Sequence, residues 1–230
     1  SVAGLLVLLL YSRFGAAGPA GSGRTQMPAT EMFRLFRLRV MWLIGAIQFV
    51  RLGVGSGLGF WLPTFLVVDR GQPLQFAGLV VAMGAALAAP SNFLGGYISD
   101  RIRNPLLVVG VSQTMLAIMT FLLARVDSLA LLIAVIAVTS VFLQFYFGPL
   151  FSVPIEMFGP RSAGLTSGFG NLFANVGGFV LAYTLGSVRD TTGSFAIGFY
   201  VLSALCLCGL ACTVTLWRTQ GSAARRLAGG

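Results

Sequence analysis

Six apolar runs, set apart by short breaks, leave this chain little choice of solvent. They fall near residues 40–68, 75–98, 105–124, 128–152, 163–188 and 194–217. A helix of about 20 apolar residues crosses the hydrocarbon core of a bilayer. Lipid offers the backbone no partners, so each run is expected to be helical. Only 9% of the residues are charged, against about 25% in a soluble domain, which leaves too few to cover a water-facing surface. The expected fold class is all-α integral membrane, a six-helix transmembrane bundle over residues 40–217.

The breaks set the orientation. The stretch Gly96-Tyr97-Ile98-Ser99-Asp100-Arg101-Ile102-Arg103-Asn104-Pro105 carries three charges in four residues. It is read as a loop over 99–105 at one aqueous boundary, with Pro105 in the first turn of the next helix. Placing it in the cytoplasm puts eleven arginines on that side: 13, 24, 34, 37, 39, 101, 103, 161, 218, 225 and 226. Only Arg70, Arg125 and Arg189 then lie outside, each within two residues of an acid (Asp69, Asp127, Asp190). That is the positive-inside pattern. Both ends of the six-helix unit are expected to be cytoplasmic, in a bacterial inner membrane.

Residues 1–11 read as the end of an earlier spanning helix, so the chain is read as a fragment beginning mid-helix. Residues 12–39 are expected to form a cytoplasmic linker, and 218–230 a short, Ala/Gly-rich, disordered cytoplasmic tail. Within the linker, Thr30 to Arg39 alternates apolar and basic residues. It suits a short interfacial helix, with Phe33 and Phe36 at the headgroup boundary and Arg34 and Arg37 facing phosphates. An ordinary basic flank anchoring the next helix is the alternative.

Several chemistries are excluded. The chain has no His, which removes His-based zinc sites and triads. Cys206, Cys208 and Cys212 share one run and are poorly placed for a disulfide. The arginines are scattered, with no basic stripe interleaved with aromatics, so no nucleic-acid partner is expected. No cofactor, no metal site and no enzyme activity are expected.

One charge is left over. Arg51 lies about a third of the way along the first run, with no acid near it in sequence. A charge at that depth costs about 3 kcal/mol on the insertion scale, so it must face a cavity or a partner. It is either an anion-binding cation, its fork of donors suiting carboxylate or phosphate, or half of a structural pair with an acid elsewhere. Gln48 and Trp61 on the same run join it as candidate substrate contacts. Gly53, Gly55, Gly57, Gly59 and Pro63 make this run either bendable or suited to close helix packing. In the fifth run Gly164, Gly168, Asn171, Asn175, Gly178 and Ala182 share one helical face. That face is expected to meet another helix or a water-filled path, which makes Asn171 and Asn175 candidates. Asn92, Gln144 and Tyr146 are weaker candidates of the same kind. Phe142, Phe145 and Phe147 read as packing or lipid contacts.

The stretch from Gly96 to Arg101 resembles the signature loop of the major facilitator superfamily, Gly-x-x-x-Asp-Arg/Lys-x-Gly-x-Arg/Lys. Here Arg103 replaces the second Gly and the closing basic residues are missing, as in the copy between helices eight and nine. The resemblance implies the C-terminal half of such a carrier, helices seven to twelve. Trp61-Leu-Pro-Thr-Phe-Leu66, Gly95-Gly-Tyr-Ile-Ser-Asp-Arg101, and Gly177 to Gly186 followed by Thr192-Gly193-Ser-Phe resemble the anion:cation symporter branch. Arg51 also resembles an Arg that relatives moving phosphorylated substrates carry in helix seven before a Trp-x-Pro motif, but stands ten residues before Trp61 rather than six, and Ala182 stands where branch members often have Pro.

This resemblance implies alternating access, with two six-helix halves rocking around a midplane site. It implies a secondary active transporter for a small organic anion or carboxylate, commonly with a proton as coupling ion, and as partners the lipid bilayer and a missing N-terminal six-helix half. Gly96, Asp100, Arg101, Glu156 and Arg161 are then candidates for a conformational latch. An exporter of drugs or metabolites, and a non-transporting membrane sensor or scaffold, are the competing expectations.

Overall fold

The computed structural model describes residues 35–159 and 162–228, with side chains up to Thr219. The expected end of an earlier helix over 1–11, and most of the 12–39 linker, lie outside the described residues. Helix α1 spans Arg39–Thr64 and widens, two residues after Pro63, into a π-helical turn over Phe65–Asp69. Then come α2 (Leu74–Ile102), α3 (Pro105–Leu123), α4 (Leu129–Phe145), α5 (Phe147–Phe158), α6 (Ala163–Thr192) and α7 (Ala196–Ala228). Six stretches are long and apolar enough to cross a membrane, α4 and α5 together counting as one. The described residues contain no strand.

Three boundaries differ from expectation. The charged loop is shorter: α2 continues through Ile102, so Asp100 and Arg101 are helical and only Arg103 and Asn104 break the chain. Arg103 takes the left-handed conformation, with φ 53° and ψ 33°. The Asn104 side chain accepts from the Leu107 amide at 3.1 Å, and Pro105 starts α3 where no amide is needed. The fourth run is not one helix but two, broken at Tyr146. Pro149 has no N–H to give the Phe145 carbonyl, and Gly148 is a poor helix former. The last helix continues through Ala228 rather than ending in an irregular tail. Ala223, Ala224, Arg225 and Arg226 are strong helix formers, so the pattern favours continuation.

Lipid is as apolar as leucine, so side-chain burial alone does little to hold helices together in a membrane. Close approach does it instead. α1 packs along α6, where Gly177 lies directly against the Phe49 backbone and Gly53 faces Gly177 and Leu181. α2 lies along α4, with Gly95 against the Phe145 carbonyl that Pro149 leaves free. Only a residue without a Cβ fits at either crossing. Gly55 and Gly59 point the other way and have no such neighbour. α3 pairs with α7, where Ser203 Oγ donates to the Ala117 carbonyl at 2.8 Å.

The apolar core runs through Val54, Leu58, Phe65, Leu116, Ile136, Leu181 and Phe199. α1 is the most enclosed helix: 56% of its most apolar window is buried, against 17% for α2. Thus α1 carries side chains into the interior, while α2 offers one face to α4 and leaves the rest open.

Candidate functional site

Arg51 sits about half-way along α1 and is only 9% exposed. Its Nε donates to Gln48 Oε1 at 3.1 Å, one helical turn away. Its guanidinium lies 4.6 Å from the centroid of the Phe147 ring. Phe147 starts α5 and is 38% exposed, so it covers Arg51 from the open side. Among the described residues no carboxylate pairs with Arg51. The cation is held by an amide oxygen and a ring face, neither of which carries a compensating charge.

The break between α4 and α5 exists because of Gly148 and Pro149, and it places two further groups in this layer. Tyr146 is fully buried, lies within electrostatic reach of Arg51, and its hydroxyl has no hydrogen-bond partner. Gln144 Oε1 accepts from Asn92 Nδ2 at 3.3 Å, joining α4 to α2, and Asn92 Oδ1 is buried with no partner. Unmet polar atoms in a buried layer are costly, and they are open to a polar guest. A cavity of about 220 Å³ lies between α1, α2 and α4, with Gln144 and Gly55, one turn beyond Arg51, in its wall.

The sequence candidates therefore divide. Arg51, Gln48, Tyr146, Asn92 and Gln144 belong to one layer across α1, α2 and α4. Trp61 does not: its indole N–H donates to the Ala182 carbonyl at 2.7 Å, and its ring packs near Phe195. It fastens α1 to α6. Asn171 and Asn175 are exposed, and Asn175 donates back to the Asn171 carbonyl at 2.8 Å. The expected polar stripe on α6 splits. Gly178 packs against Leu52 and Ser56 of α1, while Gly164, Gly168, Asn171 and Asn175 stay exposed.

No latch forms within the described residues. Asp100 and Glu156 are exposed and form no ion pair, and Arg161 lies outside the described residues. Arg101 donates instead to the Tyr97 hydroxyl at 3.3 Å, and Gly96 has open space beside it.

The other end of the bundle holds the ion pairs. Asp69, at the end of the π-helical turn, meets Arg189 of α6 at 3.1 Å and accepts from the Phe195 amide at 3.4 Å. Arg70 donates to the Val126 carbonyl at 2.6 Å and reaches Asp127 at 3.4 Å. Arg125 donates to the Tyr200 hydroxyl at 2.7 Å. Asp69 and Arg70, adjacent in sequence, thus pair with Arg189 and Asp127 rather than with each other. The sequence also gave no sign that Phe147 covers Arg51. The Gly148-Pro149 pair was the available hint that a helix end lies there.

A bundle of six membrane-length helices defines an integral membrane protein. The chain belongs to the Major Facilitator Superfamily, whose sequence model matches residues 1–182. It is 31% identical over 192 residues to the probable sulfoacetate transporter SauU of Cupriavidus necator, covering 77% of this chain and 42% of that protein. It is 24% identical over 188 residues to a nitrite extrusion protein of Bacillus subtilis, covering 82% of this chain and 47% of that protein. Among solved structures, the transporter FucP in its outward conformation superposes with a TM-score of 0.76 at 18% identity, over 92% of this chain and 51% of FucP. That likeness carries the fold. The chain spans about half the length of the relatives it matches.

Proposed function

We propose that this chain is the C-terminal six-helix half of a secondary transporter for a small organic anion, with Arg51 holding the anion. The observation that carries this reading is a nearly buried guanidinium with no counter-charge among the described residues. Leaving a cation at that depth is expensive. A site that binds and releases an anion needs it unneutralised. Gln48 takes one of five donors, so the others remain for a carboxylate, sulfonate or similar group. Tyr146 and the Asn92–Gln144 pair add neutral polar contacts to the same layer. The sulfoacetate transporter among its relatives supports an anionic substrate.

In this reading a second six-helix half closes the site, and the two rock around it. In the same reading the Asp100 end faces the cytoplasm of a bacterial inner membrane, an orientation the positive-inside pattern supports, and there Asp100, Arg101, Glu156 and Arg161 can brace one state against the other half. The acids of this chain all lie toward helix ends or in the linker. A proton-carrying carboxylate at mid-membrane therefore belongs to the other half. Likeness to a nitrite extrusion protein favours outward movement of an anion as a second reading. Uptake and efflux measured in the same vesicles separate the two.

The test uses the full-length carrier containing this chain, reconstituted in vesicles with labelled organic anions. Arg51→Ala is expected to lower transport about a hundredfold while the protein still inserts. Arg51→Lys keeps the charge, loses the fork, and should fall between. Transport by Arg51→Ala within twofold of the parent would overturn the assignment.

A further inference from the structure

The cavity next to Arg51 has a chemistry of its own. Leu58, Val80, Val81, Ala88, Ile136 and Leu143 are among the apolar residues that dominate its wall. The polar groups that reach it are largely occupied. Thr139 Oγ1 donates to the Val135 carbonyl at 2.6 Å and Ser140 Oγ to the Ile136 carbonyl at 2.9 Å. Gln144 Oε1 is taken by Asn92. The free donor capacity of the wall is therefore the Gln144 amide nitrogen alone. Gly55 and Gly84 keep the space open, since a methyl group at Gly84 would come within 2.8 Å of Ser140 Oγ.

Gly55 lies four residues beyond Arg51 on the same face of α1, about 6 Å further along the axis. An anion held at Arg51 would thus project its remaining atoms into this cavity. At about 220 Å³ it is larger than the engineered apolar cavity of about 150 Å³ that takes up benzene.

Building on the anion-carrier reading above, we propose that this cavity receives the hydrocarbon body of the substrate. The carrier then selects organic anions with an apolar aliphatic or aromatic portion over polyhydroxylated anions of similar size. A hydroxyl entering this wall exchanges its water for at most the Gln144 amide nitrogen and the lone pairs of the Thr139 and Ser140 hydroxyls, which lowers the selectivity constant by about tenfold to a hundredfold.

The experiment compares matched pairs in vesicles carrying the full-length protein: ethanesulfonate against isethionate, and hexanoate against gluconate. The members of each pair share a head group and chain length and differ in hydroxyls. Uptake or competition should favour the unhydroxylated member at least tenfold. Val81→Thr and Ala88→Ser, which add polar atoms to the wall, should narrow that ratio severalfold without abolishing transport. Arg51→Ala should remove transport of every member. Equal or better handling of isethionate and gluconate by the parent overturns the inference while leaving the anion carrier standing. A ratio unmoved by both wall variants overturns the placement of the hydrocarbon body in this cavity. If the inserted parent neither moves nor binds any of the four anions, the anion-carrier reading falls, and this inference falls with it.

Discussion

Arg189 and Arg51 are arginines on neighbouring packed helices, held in opposite ways. Arg189 meets Asp69 at 3.1 Å near a helix end, and Asp69 also accepts from the amide of Phe195, the residue just before α7. Arg51, deep in α1, has an amide oxygen and a ring face and no carboxylate among the described residues. Water reaches the Asp69 end, so a charge there is cheap and its partner serves to tie helices together. At mid-membrane a cation is costly and a fixed partner would relieve it. The absence of that partner where it would help most is what separates the proposed anion site from a fastening. The two regions also differ in what holds them. The Asp69 end is tied by charges, the Arg51 layer by backbones in contact.

The strongest way to break this contrast is to give Arg51 what Arg189 has. Gln48→Glu places a carboxylate where the amide oxygen now lies, 3.1 Å from the Arg51 Nε. The new pair should lower anion affinity about a hundredfold, close to 3 kcal/mol, without lowering the melting temperature. Transport KM and thermal unfolding in detergent report the two effects. Normal transport by this variant would mean that Arg51 does not meet the anion.

Next in size is the backbone contact below the cavity. A methyl group at Gly95 would fall on the Phe145 carbonyl, so α2 and α4 must part. Gly95→Ala should cost about 1–3 kcal/mol, as overpacking does. It should also disturb the Asn92–Gln144 bond and so reduce transport. Gly96→Ala is the control, because nothing lies within 4 Å of a methyl group there. Equal melting temperatures for the two variants would remove the close crossing as the device holding this layer.

Asp69→Asn tests the other side of the contrast. The pair is partly buried, at 23% and 18% side-chain exposure, so it lies between exposed pairs and buried ones. Losing it should cost about 1 kcal/mol of stability, less at high salt. Transport should change far less than in Gln48→Glu. A loss of transport as large as that of Gln48→Glu would show that the Asp69 end is part of the transport cycle rather than a fastening.

These differences explain which parts of the molecule were readable from residues alone. Apolar runs are long-range and redundant, so the six spans survive any local irregularity. Arg51 stands out because a lone charge in an apolar run is rare. Partnerships are another matter. Asp69 and Arg189 are 120 positions apart, and each has a nearer opposite charge in Arg70 and Asp190. Only the packing of α1 on α6 decides between them. The α6 stripe shows the same limit. Spacing puts Asn171 and Gly178 on one face, but Gly170 and Gly177, closely packed against α1, decide which way the helix turns. Phe147 was readable as an aromatic and unreadable as the cover over Arg51, since that depends on the break at Tyr146.

The smallest effect is expected at the Asp100 end, where neither arrangement of the contrast is present. Arg103 caps α2 with φ 53°, at the position where the superfamily signature carries glycine. The left-handed conformation costs a residue with a Cβ about 1–2 kcal/mol. Glycine would remove that strain but add freedom to the unfolded chain, offsetting about 0.5–1 kcal/mol. Arg103→Gly should therefore raise stability by about 0.5–1 kcal/mol, a shift of a few degrees or less in thermal unfolding. Transport should stay within about twofold of the parent if Arg103 only ends a helix. If stability rises and transport falls, the strain is kept because the Arg103 guanidinium acts in the cycle. The charged end would then take part in the cycle, as Arg51 does in the proposed reading.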